Sequence, residues 1–281
     1  VRRYATCDHH LAHAASAFFA SPFEEAAVLT YDARGEDVAT VLWEGRGTGL
    51  REIRRIHLPH SLGHLYAMTT RYLGFSSGDE EYKVMGLAAY GKPVYKDWFD
   101  RAMPLLPDGG YRLSMKHLDF YRSFTREMLK LGPPCKDGNR PDQRQMDIAA
   151  RLQARFEEVV LHMARWMRSA TGMKNLCIAG GCGLNGVANG RLAREAGFEE
   201  GWVQPAAHDA GLSLGAALWG WHALLGGPRG AAMDRADFGD AFEAETVTGI
   251  LDRCKVRQQV LEDPARRAAA RLAGGHIVGG V

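Results

Sequence analysis

The feature that most limits the folds open to this chain is a long amphipathic helix followed by alternating strands and helices. Over residues 142–170, apolar side chains recur at three- and four-residue spacing, as at Ile148, Leu152 and Phe156. The elements predicted beyond it are a strand over 175–179, a helix ending near Glu195, a strand over 201–205 and a helix over 211–225. This alternation predicts the α/β fold class.

The first part of the chain predicts a different arrangement. Residues 9–20 have the composition of a helix, and residues 61–73 predict a second one with Ser61 as its N-cap. Three predicted strands lie between them, over residues 26–32, 38–43 and 50–57, and the ARGED sequence forms the first turn. Strands joined by such short turns predict an antiparallel meander. Residues 79–93 mix charges, glycines and apolar residues and are expected to be irregular.

Composition changes near the end of the second half. Residues 226–240 are rich in Gly, Ala, Asp and Arg and are interpreted as a linker. Residues 241–281 predict the start of another unit, with a helix over 245–254, a strand over 255–261 and a helix over 264–273. The chain lacks an initiator Met and closes on an apolar stretch, 276–281, that is typical of a strand beginning. We therefore expect a fragment, with a domain over 1–225 whose first strands are missing.

Charge and cysteine content limit the partners. The formal net charge is +2, which gives no reason to expect nucleic acid or a membrane surface as partner. No apolar run approaches the roughly 20 residues that span a bilayer. Five cysteines without a CxxC pair predict free thiols in a reducing, cytoplasmic protein rather than a disulfide framework or zinc knuckle.

A histidine cluster near the start of the chain is the first candidate site. In the sequence DHHLAH, His9 and His13 stand four residues apart and share one face of the predicted helix, roughly 6 Å from each other. Two imidazoles so placed can bind one metal ion, although the glutamate of an HExxH motif is absent. The alternative is that these histidines cap or pack the helix.

Two aspartates follow predicted strands. Asp32 ends the strand over 26–32, and Asp209 follows the strand over 201–205 and opens a helix. Ligands in α/β folds lie beyond such strand ends, although each aspartate could instead cap a turn or helix. His9, His13 and one or both of these aspartates would form a two-histidine, carboxylate set with open coordination positions, which suits Fe(II), with Mn or Zn as alternatives.

A glycine-rich turn between a strand and a helix is the third candidate. Gly180, Gly181 and Asn185 belong to the sequence GGCGLN. Such glycines let backbone N–H groups approach a phosphate or ribose. The sequence is neither a P-loop nor GxGxxG, and a simple tight turn is the alternative.

Seven strings, taken together, resemble a known family. In chain order they are DHHLAHAASAFF, TYDARGE, PHSLGHLY, YLGF, EEYKVMGLAAYGKP, GGCGLN and PAAHDAG. They closely resemble the O-carbamoyltransferases of nodulation-factor and antibiotic biosynthesis over residues 4–225. Ala33, His64 and Gly183 depart from the family pattern, but none of them is a proposed ligand.

The resemblance implies a fold and a reaction. The fold would be an actin-like, sugar-kinase-like ATPase of two ribonuclease-H-like halves, followed by a YrdC-like α+β domain. The YrdC-like domain would make carbamoyl adenylate from ATP, with Mg²⁺, and carbamoyl phosphate, and the first domain would pass the carbamoyl group to a hydroxyl of a small-molecule acceptor. The fragment alone is not expected to complete this reaction.

The resemblance also implies roles for individual residues. The metal ligands would be His9, His13, Asp32 and Asp209. Nucleotide or adenylate contacts would come from Gly180, Gly181, Asn185 and Lys83. The candidate catalytic residues are Asp32 and His10. His10 is considered as a general base because it neighbours the ligands, not because of the resemblance, and its side chain faces about 100° away on the helix, which counts against it.

Other functions and assemblies remain open at this stage. A small-molecule kinase on the same fold would use Mg²⁺ held by carboxylates and water instead of paired histidines. A threonylcarbamoyl-type tRNA-modifying transferase would need a basic surface, against which the near-neutral charge argues. A non-enzymatic nucleotide-binding module is the third alternative. A homodimer is compatible with the sequence, which does not decide the oligomeric state.

Overall fold

The computed structural model describes residues 4–119, 124–136 and 140–279. The chain divides between Ala236 and Asp237 into two units. The strands are β1 (Glu25–Gly35), β2 (Val38–Arg46), β3 (Gly49–His57), β4 (Asn175–Ala179) and β5 (Glu200–Val203). The α-helices are α1 (His9–Phe18), α2 (Leu62–Tyr72), α3 (Glu81–Leu87), α4 (Lys96–Ala102), α5 (Gln143–Thr171), α6 (Gly186–Glu195), α7 (Leu212–Trp219), α8 (Ala244–Arg253) and α9 (Pro264–Ala273).

All five strands form one sheet in the order β3-β2-β1-β4-β5. β1, β2 and β3 pair antiparallel, which confirms the predicted meander, whereas β4 lies parallel to both β1 and β5. The first turn is tighter than predicted, because β1 continues to Gly35 and only Glu36 and Asp37 remain for the turn. The described residues thus form a mixed α/β fold and do not form the second sheet that a two-half fold requires.

The central strands supply two apolar cores. Along β1, Ala27 and Leu29 enter the core that contains α2 and α5, whereas Ala26 and Val28 enter the core that contains α1. Successive strand residues point to opposite faces of a sheet, so one buried strand serves both sides. This explains why β1 reads as a continuous apolar run.

Helix α5 is the longest element, and its sequence explains both ends. The Asp142 carboxylate accepts a hydrogen bond from the Gln145 N–H, and the Gln145 side-chain oxygen accepts one from the Asp142 N–H, which completes a capping box. Gly172 ends the helix in the left-handed conformation with φ 68°. The predicted helix over 142–170 is confirmed.

Residues 79–93 were expected to be irregular, and that expectation is wrong. Residues Glu81–Leu87 form α3, and a 3₁₀ turn over Ala88–Tyr90 follows it. Val84 and Leu87 are buried in the core shared with α5, while Gly86 faces open space. Burial of the two apolar residues stabilises the helix against the low helix propensity of glycine.

The second unit contains helices α8 and α9 but, among its described residues, no strand. The strand predicted over 255–261 is therefore wrong, and residues 276–279 are also irregular; residues 280–281 lie outside the described part. A strand needs a partner for its N–H and C=O groups, and no described segment pairs with residues 255–261.

Part of the predicted linker packs against the first unit. The Arg229 guanidinium donates to the carbonyl oxygens of Gly47, Phe18 and Ser21 at 3.2, 2.9 and 3.1 Å. Among the described helices, none is both long enough and apolar enough to cross a bilayer.

Candidate metal centre

Two histidines of α1 form the first half of the site. Asp8 caps the helix by accepting a hydrogen bond from the Leu11 N–H at 3.2 Å. The Nε2 atoms of His9 and His13 lie 3.1 Å apart. The His13 side chain is fully buried and that of His9 is 15% exposed, so the protein, rather than solvent, determines their orientation.

Asp32 lies where β1 becomes irregular. The β1–β2 register shifts between Tyr31 and Gly35, and a bulge of this kind redirects a side chain. The Asp32 Oδ2 atom lies 3.0 Å from His13 Nε2 and 3.6 Å from His9 Nε2. The Gly181 N–H donates to the same oxygen at 3.0 Å, so the carboxylate is held in place.

Asp209 completes the cluster from the other side. It begins a 3₁₀ turn that leads into α7, and its Oδ1 lies 3.6 Å from His9 Nε2 and 3.5 Å from His13 Nε2. Its side chain is 69% exposed, in contrast to 13% for Asp32. The structure thus brings together the four residues that the sequence singled out, three of them sheltered and one at the surface.

The spacing of these atoms fits a divalent cation. One donor atom from each of the four residues lies within 4.8 Å of the other three. Ligands about 2.1 Å from one ion lie about 3.0 Å apart at right angles and about 3.4 Å apart in a tetrahedron. The five separations that involve a histidine are 3.0 to 3.6 Å, which matches these values. Two imidazole nitrogens and two carboxylate oxygens also suit Fe(II), Mn or Zn.

Electrostatics favour an ionised Asp32. Burial by itself would raise the pKa of Asp32, but hydrogen bonds from His13, His9 and the Gly181 N–H lower it below its ordinary value. The hydrogen bond with Asp32 raises the pKa of His9, against the opposing effect of burial. Asp32 therefore presents a negative charge to the two imidazoles, as a ligand to a cation must.

The glycine-rich turn does not offer the free donors that the sequence suggested. The Gly180 N–H donates to the Ala207 carbonyl at 2.7 Å, and the Gly181 N–H donates to Asp32. The Gly183 N–H donates to the Gly180 carbonyl at 2.8 Å. These N–H groups are already engaged and are not donors to a phosphate, so nucleotide contact by Gly180 and Gly181 stays a prediction that rests on their small size.

The other predicted nucleotide contacts also have partners within the protein. Asn185 caps α6 by accepting from the Ala188 N–H at 3.0 Å, and its amide pairs with Gln153. Lys83 lies on α3, where its ammonium forms an ion pair with Glu80. Their contact with a nucleotide stays a prediction.

His10 does not fit its predicted role as a general base. It is fully buried, with Nδ1 3.0 Å from the Thr30 hydroxyl and Nε2 3.3 Å from the Val38 carbonyl. A neutral ring with its proton on Nε2 satisfies both contacts, and burial lowers the pKa of His10 to about 4. Both nitrogens are engaged inside the protein, which fits a role in packing α1 against the β1–β2 hairpin.

Sequence reasoning missed two residues that support the site. Gly35 lies against the His9 ring, and a Cβ at this position would overlap the ring atoms. Gln153 is a buried amide on α5 that contacts Asn185. The available signal for Gln153 was a single polar residue on the apolar stripe between Ala149 and Phe156.

Comparison with known proteins assigns the family. The family described as carbamoyltransferase N-terminus matches residues 2–218, which is most of the chain. The chain belongs to this family. Its relatives include nodulation protein NolNO of Sinorhizobium fredii, 36% identical over 99% of this chain and 41% of that protein. Nodulation protein NolO of Bradyrhizobium diazoefficiens is 36% identical over 98% of this chain and 50% of that protein.

A further relative and a solved structure are also similar to this carbamoyltransferase N-terminal domain. An uncharacterized Synechocystis protein, sll1178, is 44% identical over 97% of this chain and 46% of that protein. The solved structure of HypF from T. kodakarensis aligns with a TM-score of 0.43 and 18% identity, covering 78% of this chain and 36% of that one. The chain spans about half the length, or less, of the curated relatives named here.

Proposed function

We propose that this chain is the acceptor-side domain of an ATP-dependent O-carbamoyltransferase. The full reaction would use carbamoyl phosphate and Mg-ATP to form carbamoyl adenylate, and would then transfer the carbamoyl group to a hydroxyl of a small natural product or sugar. Membership of the carbamoyltransferase family supports carbamoyl as the group that is transferred. The single observation that carries the proposal is the convergence of His9, His13, Asp32 and Asp209 on one point.

The chemistry follows from the charges that develop. The acceptor oxygen forms a bond to the carbamoyl carbon, the bond from that carbon to the phosphate oxygen breaks, and AMP leaves while the hydroxyl proton passes to a base. Fe(II), or another divalent cation held by the four side chains, would act as a Lewis acid toward the oxygens that gain negative charge. Asp32 and the buried His13 keep their positions before substrate binds, because protein donors and packing hold them.

The fold is consistent with this proposal. We propose that the five-stranded sheet is one ribonuclease-H-like unit of an actin-like ATPase, since three antiparallel strands are followed by two parallel strands with helices on both faces. The metal cluster lies at the end of β1, beside β4, where β1 has an antiparallel neighbour on one side and a parallel one on the other. Ligands in α/β sheets commonly lie beyond the carboxyl ends of parallel strands, such as β1 and β4 here.

The test uses the full-length gene product, purified without oxygen and supplied with ATP, Mg²⁺, ¹⁴C-carbamoyl phosphate and a panel of polyhydroxylated acceptors. We expect carbamoyl-dependent release of pyrophosphate and transfer of label to an acceptor. His13→Ala should lose label transfer yet keep pyrophosphate release, and Lys174→Ala, on the surface, should keep both. Formation of ADP with phosphorylated acceptor would instead identify a kinase, and unchanged transfer in His13→Ala would remove the metal centre from the mechanism.

A further inference from the structure

Gln153 is a buried polar residue in the apolar stripe of α5, and all its hydrogen-bonding capacity is used. Its side-chain oxygen accepts from the Tyr66 hydroxyl at 2.8 Å and from Asn185 Nδ2 at 2.9 Å. Its amide nitrogen donates to Asn185 Oδ1 at 3.0 Å and to Glu157 Oε1 at 2.8 Å. The residue is 4% exposed, so these contacts replace water almost completely. A buried amide with two donors and two acceptors satisfied is held in one orientation.

The partner of Gln153, Asn185, ends the glycine-rich turn, which holds the Asp32 carboxylate and the backbone segment that leads to Asp209. At the start of this turn, the Gly181 N–H donates to Asp32 Oδ2 at 3.0 Å. The Gly180 N–H donates at 2.7 Å to the carbonyl of Ala207, two residues before Asp209. The turn therefore fixes one carboxylate directly and the segment that carries the other through its backbone.

We propose that Gln153 is a positioning residue for the metal centre, acting through Asn185 and the turn over residues 180–185. The inference rests on the proposed function, because it requires that the four side chains bind a cation. Gln153 itself has no contact with His9, His13, Asp32 or Asp209 among its hydrogen bonds in the described residues. Its effect is indirect. The amide pair of Gln153 and Asn185 anchors the last residue of the turn, and at the other end of the turn the Gly181 N–H donates to Asp32.

The chemistry of the amide explains why an apolar residue would not substitute. Leucine has nearly the same size, but it would leave the Tyr66 hydroxyl and the Asn185 amide without their partner on α5. A buried amide left unpaired is costly, and Asn185 could regain a partner only by a shift of the turn that it ends. Such a shift would move the Gly181 N–H, which donates to Asp32, and the Asp32 carboxylate would then no longer be held where a bound ion needs it. Residues that orient metal ligands in this way typically change metal affinity about 10- to 100-fold when they are replaced.

The experiment measures binding of Co²⁺ alone to the full-length protein, by visible absorption and competition with a chelator of known affinity. We expect Gln153→Leu to weaken Co²⁺ binding about tenfold or more and to change the absorption spectrum of the bound ion. The matched control is Gln145→Ala, because Gln145 is an equally buried amide on the same helix whose loss removes the capping box. The control should lower the melting temperature and leave the Co²⁺ affinity and spectrum unchanged. If instead a general loss of stability in α5 were the cause, both variants would change Co²⁺ binding alike.

A second variant keeps the inference testable if Gln153→Leu does not fold. Asn185→Ser retains an N-cap for α6 but removes the amide pair, and it should weaken Co²⁺ binding by a similar factor. In the double variant the losses should not add, because both act through one contact. If the parent protein binds Co²⁺ and the Gln153→Leu and Asn185→Ser variants bind it equally well, this inference alone is overturned. Parent protein that binds no Co²⁺, Fe²⁺, Mn²⁺ or Zn²⁺ would overturn the metal centre and the inference together.

Discussion

Gly215 of α7 lies directly against the carbonyl oxygen of Ala12 in α1. A Cβ at Gly215 would overlap that oxygen and would also lie 3.1 Å from the Ser16 Cβ. Helix α1 carries His9 and His13, and α7 begins directly after the 3₁₀ turn of Asp209. The close approach of the two helices, which only glycine permits, therefore sets the distance between the histidines and the exposed aspartate.

The Gly215–Ala12 contact gives the first prediction. Gly215→Ala should push α7 away from α1, lower the free energy of unfolding by about 1 to 3 kcal/mol and weaken Co²⁺ binding. Gly220→Ala, at the end of α7, is the matched control, because among the described residues no atom beyond its chain neighbours and its own helix backbone lies within 4 Å of its Cβ position. Denaturant unfolding and Co²⁺ titration measure the two effects. Equal Co²⁺ affinity in both variants would show that this contact does not position Asp209.

The two carboxylates of the cluster should differ in their contribution. Asp32→Asn should weaken Co²⁺ binding by about 3 kcal/mol or more, since it removes a sheltered charge that backbone donors hold in place. Asp209→Asn should cost only about 1 kcal/mol, because this exposed side chain must be ordered when the ion binds. Titration of both variants beside Asp37→Asn, an exposed aspartate on the β1–β2 turn, checks this order. The opposite order would mean that exposure does not predict ligand strength here.

The four candidate ligands were predictable because their signals are local. His9 and His13 are one helical turn apart, Asp32 lies near the carboxyl end of β1 and Asp209 follows β5, so short stretches of sequence were sufficient. The strands of the meander and helix α5 were predictable for the same reason. That these residues hold a metal stays a prediction, tested by the titrations above.

The remaining features depend on contacts between distant parts of the chain. The role of Gln153 requires that α5 passes beside a turn 32 residues later. Helix α3 forms because Val84 and Leu87 are buried in a core shared with α5. The N–H groups of Gly180 and Gly181 looked free in the sequence, and only the fold shows that Ala207 and Asp32 already accept from them.

A buried charge cluster at α5 predicts acid sensitivity. Arg151 donates to Asp100 at 2.6 Å and to Glu158 at 2.9 Å, and Arg155 donates to Glu158 at 2.7 Å. Burial raises the pKa of both carboxyl groups. For Asp100 the hydrogen bond from Lys96 and the charges of the arginines outweigh it, and for Glu158 the hydrogen bonds from Arg151 and Arg155 outweigh it, so both pKa values are lowered. A lowered pKa in the folded state stabilises the protein above the unfolded value, near 4.5 for Glu, and this stabilisation is lost as the pH falls further.

The acid sensitivity is measured by urea unfolding between pH 7 and pH 3. The free energy of unfolding should fall below about pH 4.5, and Glu158→Gln should lower it by about 2 kcal/mol at pH 7 and flatten the pH dependence. Glu199→Gln is the control, since its pair with Lys174 is exposed and should contribute about 0.5 kcal/mol or less. A pH profile of Glu158→Gln parallel to that of the parent would place the acid sensitivity elsewhere.

Arg229 gives the last prediction, because it ties the segment after α7 to the end of α1. Its guanidinium donates to the carbonyls of Phe18, Ser21 and Gly47 and lies 4.6 Å from the centre of the Phe18 ring. Arg229→Ala should lower the free energy of unfolding by about 2 kcal/mol, since three carbonyls lose a charged donor. Arg229→Lys should recover only part, because an ammonium lacks the planar, forked arrangement of donors.

Limited proteolysis distinguishes this tie from a flexible linker. In Arg229→Ala, cleavage within residues 226–236 should become faster before the rest of the first unit is attacked, since the guanidinium supplies three hydrogen bonds from this segment to Phe18, Ser21 and Gly47. Arg194→Ala, on the exposed side of α6, should leave both cleavage and stability unchanged. Equal cleavage rates in Arg229→Ala and the parent would mean that the guanidinium contacts do not restrain the segment, and that residues 226–236 behave as the linker that their composition suggests.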